Sequence, residues 1–208
     1  MRLKINIIET AAILLVIIIA SVLFIYGGPK PYPKDKIVVA FGDSLTRGYG
    51  VASPGKNFVT FLSEDTKINI INSGKTGDET ADALVRLKSD VLDYKPDVVM
   101  VLLGGNDYLD GFSEEVFIAN MRAIIRAIKK SGAKIILIGG NRYIAPKFEM
   151  VLEKLMAEGG IAGYVPNVLG GISLRKDLLF DDIHPNDRGH KIIADLILPV
   201  LEKVLREL

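Results

Sequence analysis

The chain has 208 residues, a net charge of +1 and nearly equal numbers of basic and acidic side chains. This balance does not predict the basic surface that nucleic-acid binding requires, so we expect no nucleic-acid partner. The absence of cysteine excludes disulfides, thiolate metal ligands and a cysteine nucleophile. Without an apolar N-terminal segment, roughly 180 residues remain, which is the size of one domain with a substantial core.

The N-terminal segment is typical of a chain directed to a membrane. No charged residue occurs between Thr10 and Pro29, and residues 11–26 are almost wholly apolar. The apolar run is longer than a usual signal-peptide core but slightly short of the ~20 residues that span a bilayer comfortably. No small-x-small cleavage site follows it, which favours an uncleaved transmembrane helix over a cleaved signal.

This interpretation divides the chain into a membrane anchor over residues 1–28, a stiff tether over residues 29–35 and a catalytic domain over residues 36–208. The usual behaviour of a short leader places the domain outside the cytoplasm, and the domain would be secreted if the leader were cleaved. Basic residues on both sides of the apolar run do not separate the two orientations.

After the tether, strand-like and helix-like segments alternate. Short runs rich in branched apolar residues predict strands near residues 37–41, 68–71, 97–103, 134–138 and 161–165. Apolar residues at helical spacing predict helices that begin near residues 53, 80, 113, 146 and 187. The alternation implies an α/β fold in which helices cover both faces of a parallel sheet.

A serine follows directly after the first strand, in Gly42-Asp43-Ser44. Ligands of open α/β sheets bind beyond the carboxyl ends of the strands, so Ser44 is well placed to act as a nucleophile. The same tripeptide is equally compatible with a simple turn. A serine nucleophile needs a base, and the chain has only two histidines.

His184 is the better candidate for this base. It lies in a loop before the last helix, whereas His190 falls inside that helix, where a solvated or packed histidine is the expectation. Asp181 precedes His184 by three residues, a separation that in a tight turn lets the carboxylate orient the imidazole.

Hydrolysis of an ester by Ser44 passes through an oxyanion, which needs hydrogen-bond donors. The loops after the second and third strands offer the Gly77 N–H and the Asn106 side-chain amide. Each residue also has an ordinary interpretation, a helix-entry turn for Gly77 and a loop residue that satisfies backbone for Asn106. Tyr108, Leu109 and Phe112 are candidates for contacts with an acyl chain, or for a loop that packs on itself.

Three other sites are disfavoured. Gly74-Lys75-Thr76 lacks the earlier glycine of a phosphate-binding P-loop. Gly42-x-Ser44-x-Thr46 lacks the second glycine of an α/β-hydrolase elbow. The acidic residues around His184 lack a second well-placed histidine or any cysteine, so no metal is expected.

Four motif blocks resemble those of the GDSL or SGNH hydrolases, and most closely those of the small bacterial arylesterase, thioesterase and lysophospholipase group. They span about residues 37–204 in the family's order and spacing. The blocks are Gly42-Asp43-Ser44-Leu45, Gly77 in Thr76-Gly77-Asp78, Gly104-x-Asn106-Asp107, and Asp181-x-x-His184-Pro185.

The resemblance implies a three-layer, flavodoxin-like sandwich with a five-stranded parallel sheet, and no metal or cofactor. It implies Ser44 as nucleophile, His184 as base and Asp181 as its partner, with an oxyanion hole formed by the Ser44 N–H, Gly77 and Asn106. Two departures, Asp182 in place of a common glycine and Lys75-Thr76 in place of small residues, touch no catalytic role.

The expected activity is hydrolysis of a small-molecule or lipid ester, or of a thioester, through an acyl-serine intermediate. A carbohydrate O-deacetylase of the same fold is an alternative. A membrane-tethered binding domain without turnover is an alternative of another class, which the intact Ser44, Asp181 and His184 disfavour.

Overall fold

The computed structural model describes residues 13–18, 32–111, 113–143 and 145–208. The chain divides into two compact units, Met1–Pro31 and Tyr32–Leu208. In the first unit, residues 13–18 are helical, and the remainder of the predicted anchor lies outside the described residues, as do residues 29–31 of the predicted tether. Within the described ranges, no helix is both long enough and apolar enough to cross a membrane.

The second unit is built on a five-stranded sheet in which every pair of neighbouring strands is parallel. The strand order is β2-β1-β3-β4-β5, which confirms the predicted five-stranded parallel sheet. The strands are β1 (Val38–Gly42), β2 (Ile70–Gly74), β3 (Val98–Leu102), β4 (Lys134–Ile138) and β5 (Gly163–Val165).

The second strand begins and ends later than the apolar run at residues 68–71 predicts. Asn72 and Ser73 pair with Ala40 and Phe41 of β1 and extend the strand to Gly74. β2 lies at one edge of the sheet, so polar side chains there can reach solvent or loop backbone without being buried in the core. Apolar pattern alone does not detect such an end.

Four of the five helices predicted from apolar spacing begin within one residue of the predicted positions, whereas the one predicted near residue 53 begins at residue 58, after a 3₁₀ turn. The α-helices of the second unit include these five long ones and two short ones that the sequence did not predict. They are α1 (Ser44–Arg47), α2 (Phe58–Thr66), α3 (Thr80–Asp90), α4 (Gly105–Leu109), α5 (Glu114–Ser131), α6 (Pro146–Ala157) and α7 (Asp187–Arg206). Short 3₁₀ turns occupy Pro54–Lys56, Leu92–Tyr94 and Lys176–Leu178.

Alternate residues of the central strands supply two separate cores, one on each face of the sheet. Val38, Ala40 and Met100 point to the face covered by α2 and α7. Val39, Phe41 and Val101 point to the face covered by α3, α5 and α6. β1 and β3 are buried along their whole length, so the core fixes where their carboxyl ends lie, and the candidate site is built on those ends.

Candidate active site

The turn that carries Ser44 follows β1 without a linker. Ser44 is the first residue of α1, and the Asp43 side chain caps this helix by accepting a hydrogen bond from the Leu45 N–H at 2.9 Å. A side chain at position 42 would not fit, because a Cβ there would lie 2.4 Å from the Leu102 carbonyl oxygen. The Gly-Asp-Ser sequence therefore gives a tight turn that presents a serine at the strand end.

The capping carboxylate of Asp43 is shielded from solvent. Burial raises the pKa of Asp43 to about 6, although the hydrogen bond from Leu45 and the nearby His184 oppose the shift. The group is only 5% exposed. Asp43 is therefore a buried acid within the site, and its hydrogen bond to the Leu45 N–H fixes the backbone that carries Ser44.

The three residues predicted as a catalytic triad are in hydrogen-bond contact. The Ser44 Oγ lies 3.0 Å from the His184 Nε2. On the other side of the ring, the His184 Nδ1 lies 2.8 Å from the Asp181 Oδ2. Each ring nitrogen therefore has one partner, and with a proton on Nδ1 the Nε2 lone pair faces the serine hydroxyl.

The loop before α7 positions the imidazole through its own backbone. The Asp181 Oδ1 accepts hydrogen bonds from the backbone N–H of Ile183 at 2.8 Å and from that of His184 at 2.7 Å. Burial raises the pKa of Asp181, but the hydrogen bonds from the His184 and Ile183 backbone and from the His184 ring outweigh burial and lower the pKa overall. Asp181 therefore both shapes the loop and faces the imidazole as a carboxylate.

The other end of this loop is tied to the start of α7. The Phe180 N–H donates to the His184 carbonyl at 2.8 Å, and Leu179 pairs with Pro185 in an antiparallel bridge. Asn186 caps α7 by accepting from the Arg188 and Gly189 N–H groups. The imidazole is thus held on a closed turn rather than on a free loop.

The predicted oxyanion donors follow β2 and β3, with Gly77 in a loop and Asn106 in the short helix α4. Asn106 lines the same cavity as Ser44, and its Nδ2 donates to the Asp78 carbonyl at 2.8 Å, which leaves its second N–H for another acceptor. Gly77 is exposed and does not line that cavity. Its φ of +81° lies in the left-handed region that favours glycine, and the space where a Cβ would stand is open.

A buried carboxylate, that of Asp107, connects the segment after β3 to the segment after β2. Asp107 is completely buried and accepts hydrogen bonds from the Thr80 backbone N–H at 3.0 Å and from the Thr80 hydroxyl. Asn120 in turn donates to the Thr80 hydroxyl at 3.1 Å. The start of α3, just after Gly77, is therefore fixed to the residue next to Asn106.

An apolar cavity of about 260 Å³ opens beside Ser44 and His184. Of the residues predicted to contact an acyl chain, Tyr108 and Leu109 line it, while Phe112 lies outside the described residues. A further part of the wall comes from α6, through Phe148 and Leu152. Sequence reasoning missed that part, because an i, i+4 apolar pair on a helix has the same pattern whether it faces a core or a cavity.

The acidic residues near His184 serve other contacts. Asp187 accepts a hydrogen bond from the Ala52 N–H at 2.8 Å, and Asp182 lines the cavity. In the part of the chain that the structure describes, no group of three or more histidine, cysteine or acidic residues is arranged to hold a metal ion.

Comparison with known proteins agrees with the motif blocks. An arylesterase from Vibrio mimicus is 29% identical over 200 residues, covering 90% of this chain and 98% of the arylesterase. Thioesterase 1/protease 1/lysophospholipase L1 from Escherichia coli K12 is 28% identical over 178 residues, covering 81% of this chain and 84% of that protein. A crystal structure of TesA is similar with a TM-score of 0.74 and 26% identity, covering 81% of this chain and 99% of that chain.

The model of one family matches residues 40–192, from β1 into α7. This match includes all four motif blocks and confirms the resemblance found in the sequence. The chain belongs to the GDSL-like lipase/acylhydrolase family.

Proposed function

We propose that this protein hydrolyses carboxylic esters or thioesters through an acyl intermediate on Ser44. The observation that carries the proposal is the relay of contacts, 3.0 Å from the Ser44 Oγ to the His184 Nε2 and 2.8 Å from the His184 Nδ1 to the Asp181 carboxylate. A domain that only binds its ligand does not need a serine paired with an oriented base, so the relay supports an enzyme over a binding module.

In the first half of the reaction, the Ser44 Oγ attacks the carbonyl carbon while its proton passes to the His184 Nε2. The Asp181 carboxylate holds the proton on Nδ1 and stabilises the imidazolium. The carbonyl oxygen becomes an oxyanion, for which the Ser44 N–H, the Gly77 N–H and the free N–H of Asn106 are the proposed donors. The intermediate then collapses, the bond to the alcohol or thiol breaks, and Nε2 returns its proton to the leaving group.

In the second half, water replaces the leaving group. His184 takes a proton from the water as its oxygen attacks the acyl carbon, and the same donors receive the second oxyanion. Collapse breaks the bond to the Ser44 Oγ, which regains the proton from Nε2, and the carboxylic acid leaves. The enzyme returns to its starting state without a cofactor.

The cavity beside Ser44 supports binding of an apolar acyl group. Tyr108, Leu109, Phe148 and Leu152 present mainly hydrocarbon, and the volume of about 260 Å³ lies just below the range typical of sites for drug-sized ligands. We therefore propose a short or medium acyl chain in this cavity, with the leaving group towards solvent.

A series of nitrophenyl esters of increasing acyl length, assayed with the full chain, tests the proposal. Each buried methylene contributes about 0.8 kcal/mol, so kcat/KM should rise about fourfold per carbon until the cavity is filled and then level off. A sharp optimum at acetate would instead favour a carbohydrate O-deacetylase. No hydrolysis of any ester by the folded protein would favour a binding domain without turnover.

We also propose that the N-terminal segment attaches the enzyme to a membrane, with the catalytic domain outside the cytoplasm. The uncharged stretch between Thr10 and Pro29 supports this. Extraction of the intact chain from cells by detergent but not by high salt would agree with an anchor. Recovery of a shortened chain from the medium would show cleavage of the segment.

A further inference from the structure

Arg86 of α3 is a nearly buried cation beneath the candidate site, with a side chain that is 10% exposed. Its Nη2 donates to the Gly42 carbonyl at 2.9 Å, and its Nη1 donates to the Ser73 carbonyl at 2.9 Å. Its Nε donates to the Asp78 carboxylate, which is itself 2% exposed. One guanidinium therefore joins the end of β1 to the end of β2 and to the loop that follows β2.

Two of these acceptors lie next to the proposed catalytic groups. The Gly42 carbonyl belongs to the residue before Asp43-Ser44, at the start of the nucleophile turn. Asp78 directly follows Gly77, the proposed oxyanion donor in the loop after β2. The Asp78 carbonyl accepts a hydrogen bond from the Asn106 side-chain amide at 2.8 Å. Asn106 is therefore connected to the same guanidinium through Asp78.

We propose that Arg86 is a positioning residue, which holds the Ser44 turn and the other two proposed oxyanion donors, Gly77 and Asn106, in one fixed arrangement. This inference rests on the proposed function. Arg86 also donates to Asp90 at 3.2 Å and lies against the Phe41 ring, with the guanidinium carbon 4.5 Å from the centroid. Packing and hydrogen bonds thus leave the planar group one orientation.

The geometry requires a guanidinium rather than any cation. The contacts use donors on Nε, Nη1 and Nη2 that diverge in a rigid plane, whereas a lysine ammonium offers three donors at one point. A lysine at position 86 could reach Asp78 or the Gly42 carbonyl, but not both strand ends and the carboxylate together. The hydrogen bonds to carbonyls and carboxylates also explain why the positive charge of Arg86 is tolerated in a nearly buried position.

This role predicts a kinetic signature. Oxyanion donors stabilise the transition state more than the bound substrate, so their displacement lowers kcat and leaves KM nearly unchanged. Loss of one such donor costs about 10²- to 10³-fold in kcat. A residue that only stabilises the fold would lower the midpoint of thermal unfolding without changing kcat per folded molecule.

The test compares Arg86→Met and Arg86→Lys with the wild type and with Arg122→Met. Arg122 pairs with Glu158 on the surface, where both side chains are about half exposed, so this control removes an ion pair away from the site. For each variant, kcat and KM are measured on a nitrophenyl ester well below its unfolding midpoint. Affinity for phenylboronic acid, which forms a tetrahedral adduct with a reactive serine, is measured alongside.

Arg86→Met should lose about 100-fold in kcat and a similar factor in boronate affinity, with KM within threefold of the wild type. Arg86→Lys should recover only a minor part, and Arg122→Met should match the wild type. A folded Arg86→Met with kcat within threefold of the wild type would overturn the inference.

If Arg86→Met does not fold, Asp78→Ala provides the decisive test. In this variant Arg86 keeps Asp90 as its counter-ion and both strand-end carbonyls as hydrogen-bond acceptors. The same loss of kcat with KM spared is expected, and an unchanged kcat would overturn the inference. Ser44→Ala separates the two proposals. If it keeps full activity, the proposed function fails, whereas an inactive Ser44→Ala beside a fully active Arg86→Met contradicts only the role of Arg86.

Discussion

The Tyr49 ring lies against the imidazole of His184, with ring centroids 4.6 Å apart and planes tilted by 57°. Tyr49 also meets Phe180 edge-on at 6.0 Å, and its backbone N–H donates to the Ser44 carbonyl at 2.9 Å. Tyr49, two residues after the end of α1, thus covers one face of the His184 imidazole. This contact restricts the ring to the plane in which Nε2 meets the serine.

Tyr49→Ala should lower kcat by about threefold to tenfold, because an aromatic pair contributes about 0.5–1.5 kcal/mol beyond area burial. Tyr49→Phe keeps the ring and should retain nearly full activity. Steady-state kinetics of the two variants on one ester test this. Equal losses in both would mean that the hydroxyl, rather than the packing, matters.

Asp181→Asn should lower kcat by about 10³- to 10⁴-fold. The amide oxygen can still accept the backbone N–H groups of the loop, but an amide N–H facing Nδ1 favours the wrong imidazole tautomer. Asp177→Asn is the matched control, since Asp177 pairs with Arg175 on the surface. An Asp181→Asn enzyme with more than a tenth of wild-type kcat would contradict the assigned role.

His190 should make the protein less stable in mild acid. It is fully buried and stacks on Phe58, and neither ring nitrogen makes a well-formed hydrogen bond to the described part of the chain. Burial lowers the pKa of His190 from 6.5 to about 4, although the Tyr49 backbone offsets part of the effect. Between these values the unfolded chain binds the proton and the folded chain does not, so stability falls as the pH falls from 6.5 towards 4.

His190→Phe isolates this effect, because it keeps an aromatic ring beside Phe58 and cannot be protonated. The raised pKa of Asp43, about 6, acts in the opposite direction, since its stabilising contribution is lost as the pH rises from 3.8 through 6. That contribution is common to both proteins. Urea unfolding should therefore show that the wild type loses about 2 kcal/mol relative to His190→Phe between pH 7 and pH 5.

Equal pH dependence of the two proteins would contradict a buried, neutral His190. The His190→Phe variant also distinguishes the roles of the two histidines. His184 carries the proposed catalysis, and replacement of His190 should leave the hydrogen bond between His184 and Ser44 intact.

Leu109→Ala should change acyl selectivity more than overall activity. Leu109 lines the cavity yet is 58% exposed, so its replacement removes hydrocarbon from the wall with little cost in stability. The ratio of kcat/KM for octanoate to that for acetate should fall by about tenfold, following the transfer free energy of the lost carbons. Met150→Ala, an exposed change on α6 away from the cavity, should leave the ratio unchanged.

The predicted sheet and long helices came from patterns that are local in sequence. β3 is recognisable because Val98–Leu102, a strand buried on both faces, is a continuous apolar run in the sequence. α5 is recognisable because Ser113 caps a helix with regular apolar spacing. The short helices α1 and α4 were not predictable, since tertiary contacts stabilise one or two turns and propensity alone does not. The same limit applies to the polar end of β2, which strand pairing extends.

The candidate site was predictable where motif and chemistry coincide. Ser44, Asp181 and His184 could be selected because a weak nucleophile needs a base and the chain has only two histidines. Their catalytic roles stay a prediction, as do those of Gly77 and Asn106. Arg86 was missed because its acceptors are backbone carbonyls and a carboxylate from separate segments, and no sequence spacing encodes such contacts.

The most direct test of the proposed mechanism is the identity of the nucleophile. The full chain is treated with a nitrophenyl phosphonate, which phosphonylates an activated serine, and the product is analysed by intact and peptide mass spectrometry. We expect one adduct per chain, on Ser44, with loss of esterase activity in proportion to labelling and no adduct on the Ser44→Ala variant. An adduct on another residue, or wild-type ester hydrolysis by Ser44→Ala, would contradict the proposed mechanism.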